Sequence, residues 1–428
     1  MQTLVAIFIG KLIAKLTRAL NFGGGSAAPG LYALKLDPDL VTKLAKRIPK
    51  NIIITGTNGK TTTSRLLTHF AKELGLKVIR NHTGSNLERG IASALISNYQ
   101  LQTTNYQLDL GIWELDEAAF NTVAPKLNPD IVVFLNVFRD QLDRYGEVDS
   151  VVKRWGETLK ILPPKTLMLV NGDDANTAQL KSFFKGNVYT FGVEDYKIVV
   201  ESLEKKASQK KLDFEARDIE LKGLSGSSFS LHTSSILHPT SHITLPLPGV
   251  YHIYDFLAAF YAGHELGFST KSMISSLKGF QPAFGRVEKL PFGYIFLIKN
   301  PAGATQVFET LAPQLKPNDR LLIALNDNLA DGTDVSWIWD AGWERLHTGY
   351  KLQVICSGIR AYDLANRLKY AGFEPDHLQV EGDLKKALKE ARAGLEGKLY
   401  ILPTYTAMLK LQSILTKSGI KKHYWEEE

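Results

Sequence analysis

Apolar runs alternate with segments of helical spacing along most of this chain. Ile52 to Ile54 form a short apolar run that leads into a turn carrying Gly56 and Gly59, and Leu66, Leu67, Phe70 and Leu74 then recur at helical spacing. The same order repeats. An apolar stretch at 76–80 precedes a polar turn and a helix over 87–99, and further strands are expected at 108–115, 131–135 and 167–170. Short strands that stay apolar on successive residues mark a parallel sheet covered on both faces. Residues 39–47 read as a short helix ahead of the first strand, and 23–30, rich in glycine, reads as a linker.

The pattern changes at 188. Polar and apolar residues alternate up to 247, with basic clusters near Lys205 and Lys210, as in an antiparallel β excursion with exposed turns. A strongly helical stretch follows from Gly249 to Gly267, then a second helix and a break at Pro282. From 284 a second alternating segment begins, with strands expected at 294–298, 320–325, 352–356 and 399–402. The expectation is an α/β chain of two units. Residues 1–283 form a nucleotide-binding parallel sheet with an N-terminal helix and a β insertion at about 193–242, and 284–428 form a smaller C-terminal α/β unit.

Composition narrows the classes. Hydrophobic residues make up 44% and charged residues 22%, as in an ordinary globular chain. The net charge of +7 suits an acidic substrate or an anionic membrane surface, and its spread along the chain gives no nucleic-acid footprint. Cys356 is the only cysteine, which excludes an intrachain disulfide and a multi-cysteine zinc site, so no zinc is expected and a cytoplasmic location fits. His232, His238 and His242 lack the spacing of metal ligands. No apolar run reaches the length that spans a bilayer. Leu4 to Leu20 is nevertheless apolar, with Lys11, Lys15 and Arg18 at spacings that can share a helical face. It reads either as a helix packed on the domain, which is preferred, or as a peripheral contact at the inner face of the membrane.

Candidate chemistry starts at the first turn. In Gly56-Thr57-Asn58-Gly59-Lys60-Thr61-Thr62 the glycines let backbone N–H groups curl round a phosphate chain, the following helix N-terminus adds partial positive charge, Lys60 reaches terminal phosphates and Thr61 can hold Mg²⁺. Glu114 ends the strand at 108–115, where a carboxylate lies near the phosphate loop of such a sheet, and is a candidate Mg²⁺ ligand. The loop after 131–135 gathers Asn136, Arg139, Asp140, Asp143 and Arg144 at the same edge. Asp173 either touches the nucleotide or caps the next helix. Asp327, Asp331, Asp334 and Asp340 share one loop, more than a turn needs, so at least one is expected in chemistry or at a partner surface.

With these residues, the helix start at Gly249 and Gly285-Arg286-Val287-Glu288, the chain resembles the Mur ligase superfamily. Residues 136–146, 299–303 and 326–340 resemble its MurT branch in particular. The resemblance implies an enzyme that uses ATP and Mg²⁺ to amidate the D-glutamate α-carboxylate of the lipid II stem peptide to D-isoglutamine through an acyl phosphate. Ammonia would come from a GatD-like glutaminase subunit in a heterodimer. It further implies that Thr57, Asn58, Gly59, Lys60, Thr61, Thr62, Asn136 and Asp140, with Arg286, Asn300 and Asp327 from the second unit, hold the nucleotide. Thr61 and Glu114 would hold Mg²⁺, Lys60 and Glu114 would act in catalysis, and one of Asp331, Asp334 and Asp340 would serve the glutaminase. The cysteine ribbon that many MurT chains carry is missing from 193–242. Gln141 after Asp140 and the uncertain spacing of Lys153 leave no second metal site of the Mur type expected. The rival readings are an amino-acid-adding ligase of Mur or folylpolyglutamate type and a nucleotide-dependent scaffold.

Overall fold

Two sheets organise the chain. In the computed structural model the described residues are 1–19, 27–81, 85–99, 108–138, 148–194, 212–233, 241–281 and 287–421; Asp140, Arg286, His238, Lys205 and Lys210 lie outside them. Helices α1 (Gln2–Ala19), α2 (Ala28–Leu36) and α3 (Leu40–Ala45) precede β1 (Lys50–Thr55). There follow α4 (Lys60–Glu73), β2 (Val78–Arg80), α5 (Glu88–Asn98), β3 (Leu110–Leu115), α6 (Ala119–Leu127), β4 (Ile131–Phe134), α7 (Val148–Ile161), β5 (Leu167–Asn171) and α8 (Ala175–Ala178). Strands β6 (Val188–Val193), β7 (Phe214–Leu221), β8 (Ser227–Thr233) and β9 (Ser241–Leu245) complete the first sheet, and α9 (Val250–Glu265) and α10 (Thr270–Ser276) return across it.

The strand order is β2-β3-β1-β4-β5-β6-β7-β8-β9. The chain adds strands to one side of β1 and then to the other, since β1 pairs in parallel with both β3 and β4. That reversal opens a crevice at the C-terminal end of β1, the place where open α/β sheets bind ligands. Burial on both faces explains the unbroken apolar run. Ile52 and Ile54 enter one layer with Leu66, Phe70, Phe256 and Phe260, while Ile53 enters the opposite layer with Phe120 and Trp155.

Three expectations are corrected. The segment from 188 is antiparallel only in part: β7, β8 and β9 pair antiparallel as expected, but β6 pairs in parallel with β5 and β7, and all four extend the same sheet. Within the expected linker, Ala28 to Gly30 form the first turn of α2. Gly30 is bare because α5 packs against it; an added Cβ would lie 1.9 Å from the Arg89 carbonyl, and the Gly30 N–H donates to Ser93 Oγ at 2.8 Å. Leu74 falls just beyond α4 and is 39% exposed, so it takes no part in the helix's core face.

The second sheet comprises β10 (Glu288–Leu290), β11 (Gly293–Ile295), β12 (Arg320–Ala324), β13 (Gln353–Ser357), β14 (Leu378–Val380) and β15 (Leu399–Pro403), in the order β10-β11-β15-β12-β13-β14. Its helices are α11 (Pro301–Leu311), α12 (Trp337–Asp340), α13 (Ala361–Tyr370), α14 (Leu384–Arg392) and α15 (Tyr405–Lys417). All pairings are parallel except β10 with β11. The edge strands β10 and β14 have three residues each, too few to show a period in sequence.

Candidate active site

The phosphate loop leaves β1 at Thr55 and turns into α4 with Gly56 at φ +141° and Gly59 at φ +90°, conformations that L side chains rarely adopt. At Gly59 the constraint is also spatial: a Cβ would sit 2.1 Å from Asp255 Oδ1 on α9. The loop's shape is held from β4. Asn136 accepts the Asn58 N–H on Oδ1 at 2.8 Å, donates from Nδ2 to the Asn58 carbonyl at 3.1 Å, and takes the Thr57 N–H on its own carbonyl at 3.0 Å. Thr57 turns its hydroxyl inward, where it accepts the Phe138 N–H at 3.1 Å. Lys60 is only 9% exposed, and its Nζ donates to the carbonyls of Gly56 and, at 3.1 Å, Thr57.

Glu114 reaches the loop through the register of β3, where it stands opposite Ile54. Its carboxylate accepts Thr61 Oγ1 at 2.8 Å and Ser64 Oγ at 2.6 Å. Asn81 fixes its backbone on both sides, accepting the Glu114 N–H and donating to its carbonyl, each at 2.8 Å. A carboxylate and two hydroxyls at the end of a phosphate loop make an all-oxygen donor set, the kind that suits Mg²⁺.

The second unit meets this loop directly. Asn58 and Asn300 exchange side-chain hydrogen bonds of 3.2 and 3.0 Å, and Lys299 Nζ donates to the Thr57 carbonyl at 3.3 Å. Asn300 is itself fixed as the cap of α11, accepting the Gly303 N–H at 2.8 Å. A cavity between the units is lined by Asn58, Gly59, Asn136, Tyr251, Asp255 and Gln306.

Thr57 to Thr62, Glu114, Asn136 and Asn300 are thus brought together. Asp327 is placed elsewhere: it pairs with Arg360 Nε at 2.7 Å and, among the described residues, has no hydrogen bond to the phosphate loop. Asp331 is buried and accepts the Thr406 N–H at 2.7 Å and its hydroxyl at 2.5 Å, tying its loop to the first turn of α15. Asp334 and Asp340 are exposed. Tyr251, Asp255, Lys299 and Gln306 carried no expectation as site residues. Asp255 had one signal, a carboxylate inside a helix that is otherwise apolar on nearly every residue. The lone thiol, Cys356, is buried, and burial pushes it up to about 12, out of range for chemistry near neutral pH.

Asp173 is not the cap expected as one of its two roles. The helix cap is Asp174, which accepts the Asn176 N–H at 2.8 Å and the Val137 N–H at 2.7 Å, while Asp173 accepts the Val193 N–H at 2.8 Å and Tyr254 O–H at 2.7 Å, joining β6 to α9. Burial raises both carboxyls to about 6. The folded chain therefore holds these protons more tightly than the unfolded one, so their contribution to stability is full below about pH 4 and is lost as pH rises through about 6. Asp173→Asn keeps an acceptor for both donors and removes the titration. Its melting temperature is expected to fall less than the wild type's between pH 5 and 7, by about 2–4 °C for each kcal/mol of penalty removed. Equal falls in scanning calorimetry would show that Asp173 is not the titrating group.

Comparison with known proteins agrees with this architecture. The model of the Mur ligase middle domain matches residues 54–263, and that of the MurT ligase C-terminal domain matches 297–408. The MurT subunit of lipid II isoglutaminyl synthase (glutamine-hydrolyzing) from Staphylococcus aureus strain COL is 31% identical over 98% of this chain and 99% of its own length. The corresponding subunit of Streptococcus pneumoniae is 28% identical over 94% of each chain. Among solved structures, MurF from Acinetobacter baumannii superimposes with a TM-score of 0.70 over 92% of this chain and 81% of its own, at 19% identity. Mycobacterium tuberculosis folylpolyglutamate synthase complexed with ADP and AMPPCP gives 0.65 over 96% and 98%, at 15% identity. These structures speak for the fold, and the near full-length identity to the two subunits speaks for the branch. The chain belongs to the MurT family of Mur ligases.

Proposed function

We propose that this chain is the synthetase subunit that amidates the α-carboxylate of D-glutamate in the lipid II stem peptide, using ATP and ammonia delivered by a glutaminase partner. The observation that carries the reading is the meeting of Thr61 and Glu114 at the mouth of a phosphate loop that Asn300 of the second unit also touches. We place the division between the two units near residue 283. The substrate and the nitrogen source follow from the names of the S. aureus and S. pneumoniae relatives.

When bound, Mg·ATP supplies the phosphoryl group that a carboxylate oxygen accepts as ADP leaves, with Mg²⁺ held by Thr61 and Glu114. The chain's own residues make that encounter tolerable. Two anions must approach each other, so Lys60 and the N-terminus of α4 offset the charge. Asn136 holds the Asn58 amide in place from behind the loop. Lys299 and Asn300 bring the second unit over the nucleotide and exclude water, which would otherwise hydrolyse the acyl phosphate. Ammonia then forms the C–N bond and phosphate departs.

For the glutaminase, exposure favours Asp334 or Asp340 over Asp331, whose carboxylate is spent on Thr406. Alanine at one of the two exposed positions is expected to lower glutamine-driven amidation by about 10²-fold or more, while ammonia-driven amidation stays within about twofold. Losing both activities together, or neither in either variant, would remove this loop from the partner's chemistry. The amino-acid-adding reading is tested in the same assay: product formed with a single amino acid and none with ammonia would replace amidation.

A further inference from the structure

We infer that the outward face of α1, with α2 beside it, docks this protein on the surface of an anionic bilayer. Helix α1 buries Ala6, Ile7, Gly10 and Ala14 against the domain; at Gly10 the fit is so close that a Cβ would lie 2.8 Å from Ile96 and 3.3 Å from the Pro29 carbonyl. At 3.6 residues per turn, Leu4, Val5, Phe8, Leu12 and Leu16 fall on the opposite side within an arc of about 120°. Each of the five is between 46% and 62% exposed, and α2 adds Tyr32 at 49% and Leu36 at 40%. A row of large apolar side chains directed away from the core over the whole length of a helix is a surface built for contact.

Charge chooses the occupant. The first 36 residues carry Lys11, Lys15, Arg18 and Lys35 and no Asp or Glu. Lys15 and Lys35 are exposed, and the first carboxylate of the chain, Asp37, is buried and paired with Lys43 at 2.7 Å. An apolar stripe with exposed cations beside it, on a stretch whose nearest acid in sequence is buried and neutralised by Lys43, matches acyl chains beneath anionic headgroups. A second copy of the same face would gain nothing from those cations. Spanning is not the mode, since no helix among the described residues is long and apolar enough to cross a membrane. Docking deepens the proposed reaction, whose substrate is lipid-linked, but does not depend on it.

The test is co-sedimentation of the full chain with vesicles of phosphatidylcholine alone or mixed with phosphatidylglycerol, a readout that needs neither nucleotide nor amidation and so fails independently of the proposed reaction. The wild type is expected to bind the anionic vesicles and to release as salt rises. Phe8→Glu with Leu12→Glu is expected to lower the bound fraction about tenfold or more at unchanged melting temperature, and Lys15→Ser with Lys35→Ser to remove the preference for phosphatidylglycerol. No binding by the wild type, or equal binding by the Phe8/Leu12 variant, would overturn the inference. So would a wild-type dimer in sedimentation velocity that the Phe8/Leu12 variant dissolves, which would give this face to a second copy.

Discussion

Lys60→Ala is expected to lower ATP-dependent amidation by about 10³-fold or more, equivalent to about 4 kcal/mol of lost transition-state stabilisation, without unfolding the protein. The side chain springs from the first residue of α4 and folds over the loop, where its ammonium donates to the Gly56 and Thr57 carbonyls. Nothing else described on the loop itself carries a positive charge, since Thr57, Asn58, Thr61 and Thr62 offer only hydroxyls, an amide and backbone N–H groups. Without the ammonium, Lys299 Nζ still donates to the Thr57 carbonyl and Asn136 still braces the loop, so the larger cost falls on catalysis rather than on folding. Lys60→Arg is expected to rescue little, because a planar fork cannot occupy the space of a point charge held against two carbonyls. Turnover within tenfold of the wild type in Lys60→Ala, at an unchanged melting curve, would mean that the loop serves a scaffold rather than a reaction.

Glu114→Gln is expected to raise the Mg²⁺ concentration for half-maximal turnover by about 10²-fold and to lower turnover at saturation. The substitution keeps volume and one acceptor oxygen, and the Thr61 and Ser64 hydroxyls can rotate to meet the new amide. Asn81 still holds the backbone of residue 114 through its N–H and carbonyl. Glu114→Ala is a different experiment. It takes the acceptor from the exposed Thr61 hydroxyl, leaves the buried Ser64 hydroxyl only the Thr61 carbonyl at 3.1 Å, and opens a hole where the buried Glu114 side chain stood, so a folding defect mixes with the metal effect. A Mg²⁺ titration of the glutamine variant separates the two. An unchanged Mg²⁺ dependence would remove Glu114 from the metal site.

The order of strand, loop and helix around Gly56 was readable because β1 is buried on both faces and its apolar residues run without interruption into the glycines. Glu114 was readable for the same reason, as a carboxylate ending a strand of that sheet. What pattern does not encode is which partner a polar side chain finds. Asn136 stood out as a loop residue near nucleotide, but its amide is mostly occupied in bracing Asn58, a contact across 78 positions. Asp173 and Asp174 are adjacent and chemically alike, and only the turn after β5 decides which one caps the helix. Asp331 looked like its neighbours until the fold set it against Thr406 of α15. For α1 both alternatives, packing on the domain and contact with a membrane, were legible in the apolar run with Lys11, Lys15 and Arg18, but the tight seating of Gly10 and Ala14 that leaves Phe8 and Leu12 outside is a matter of packing.

In the proposed reaction a carboxylate in this cleft is activated by phosphorylation before nitrogen arrives. That order is tested most directly with a stem-peptide substrate whose D-glutamate α-carboxylate carries ¹⁸O. During ATP-dependent amidation by the complete enzyme, one labelled oxygen is expected to be transferred to inorganic phosphate for each amide formed. Amide formation with unlabelled phosphate, or with the label in AMP, would contradict it.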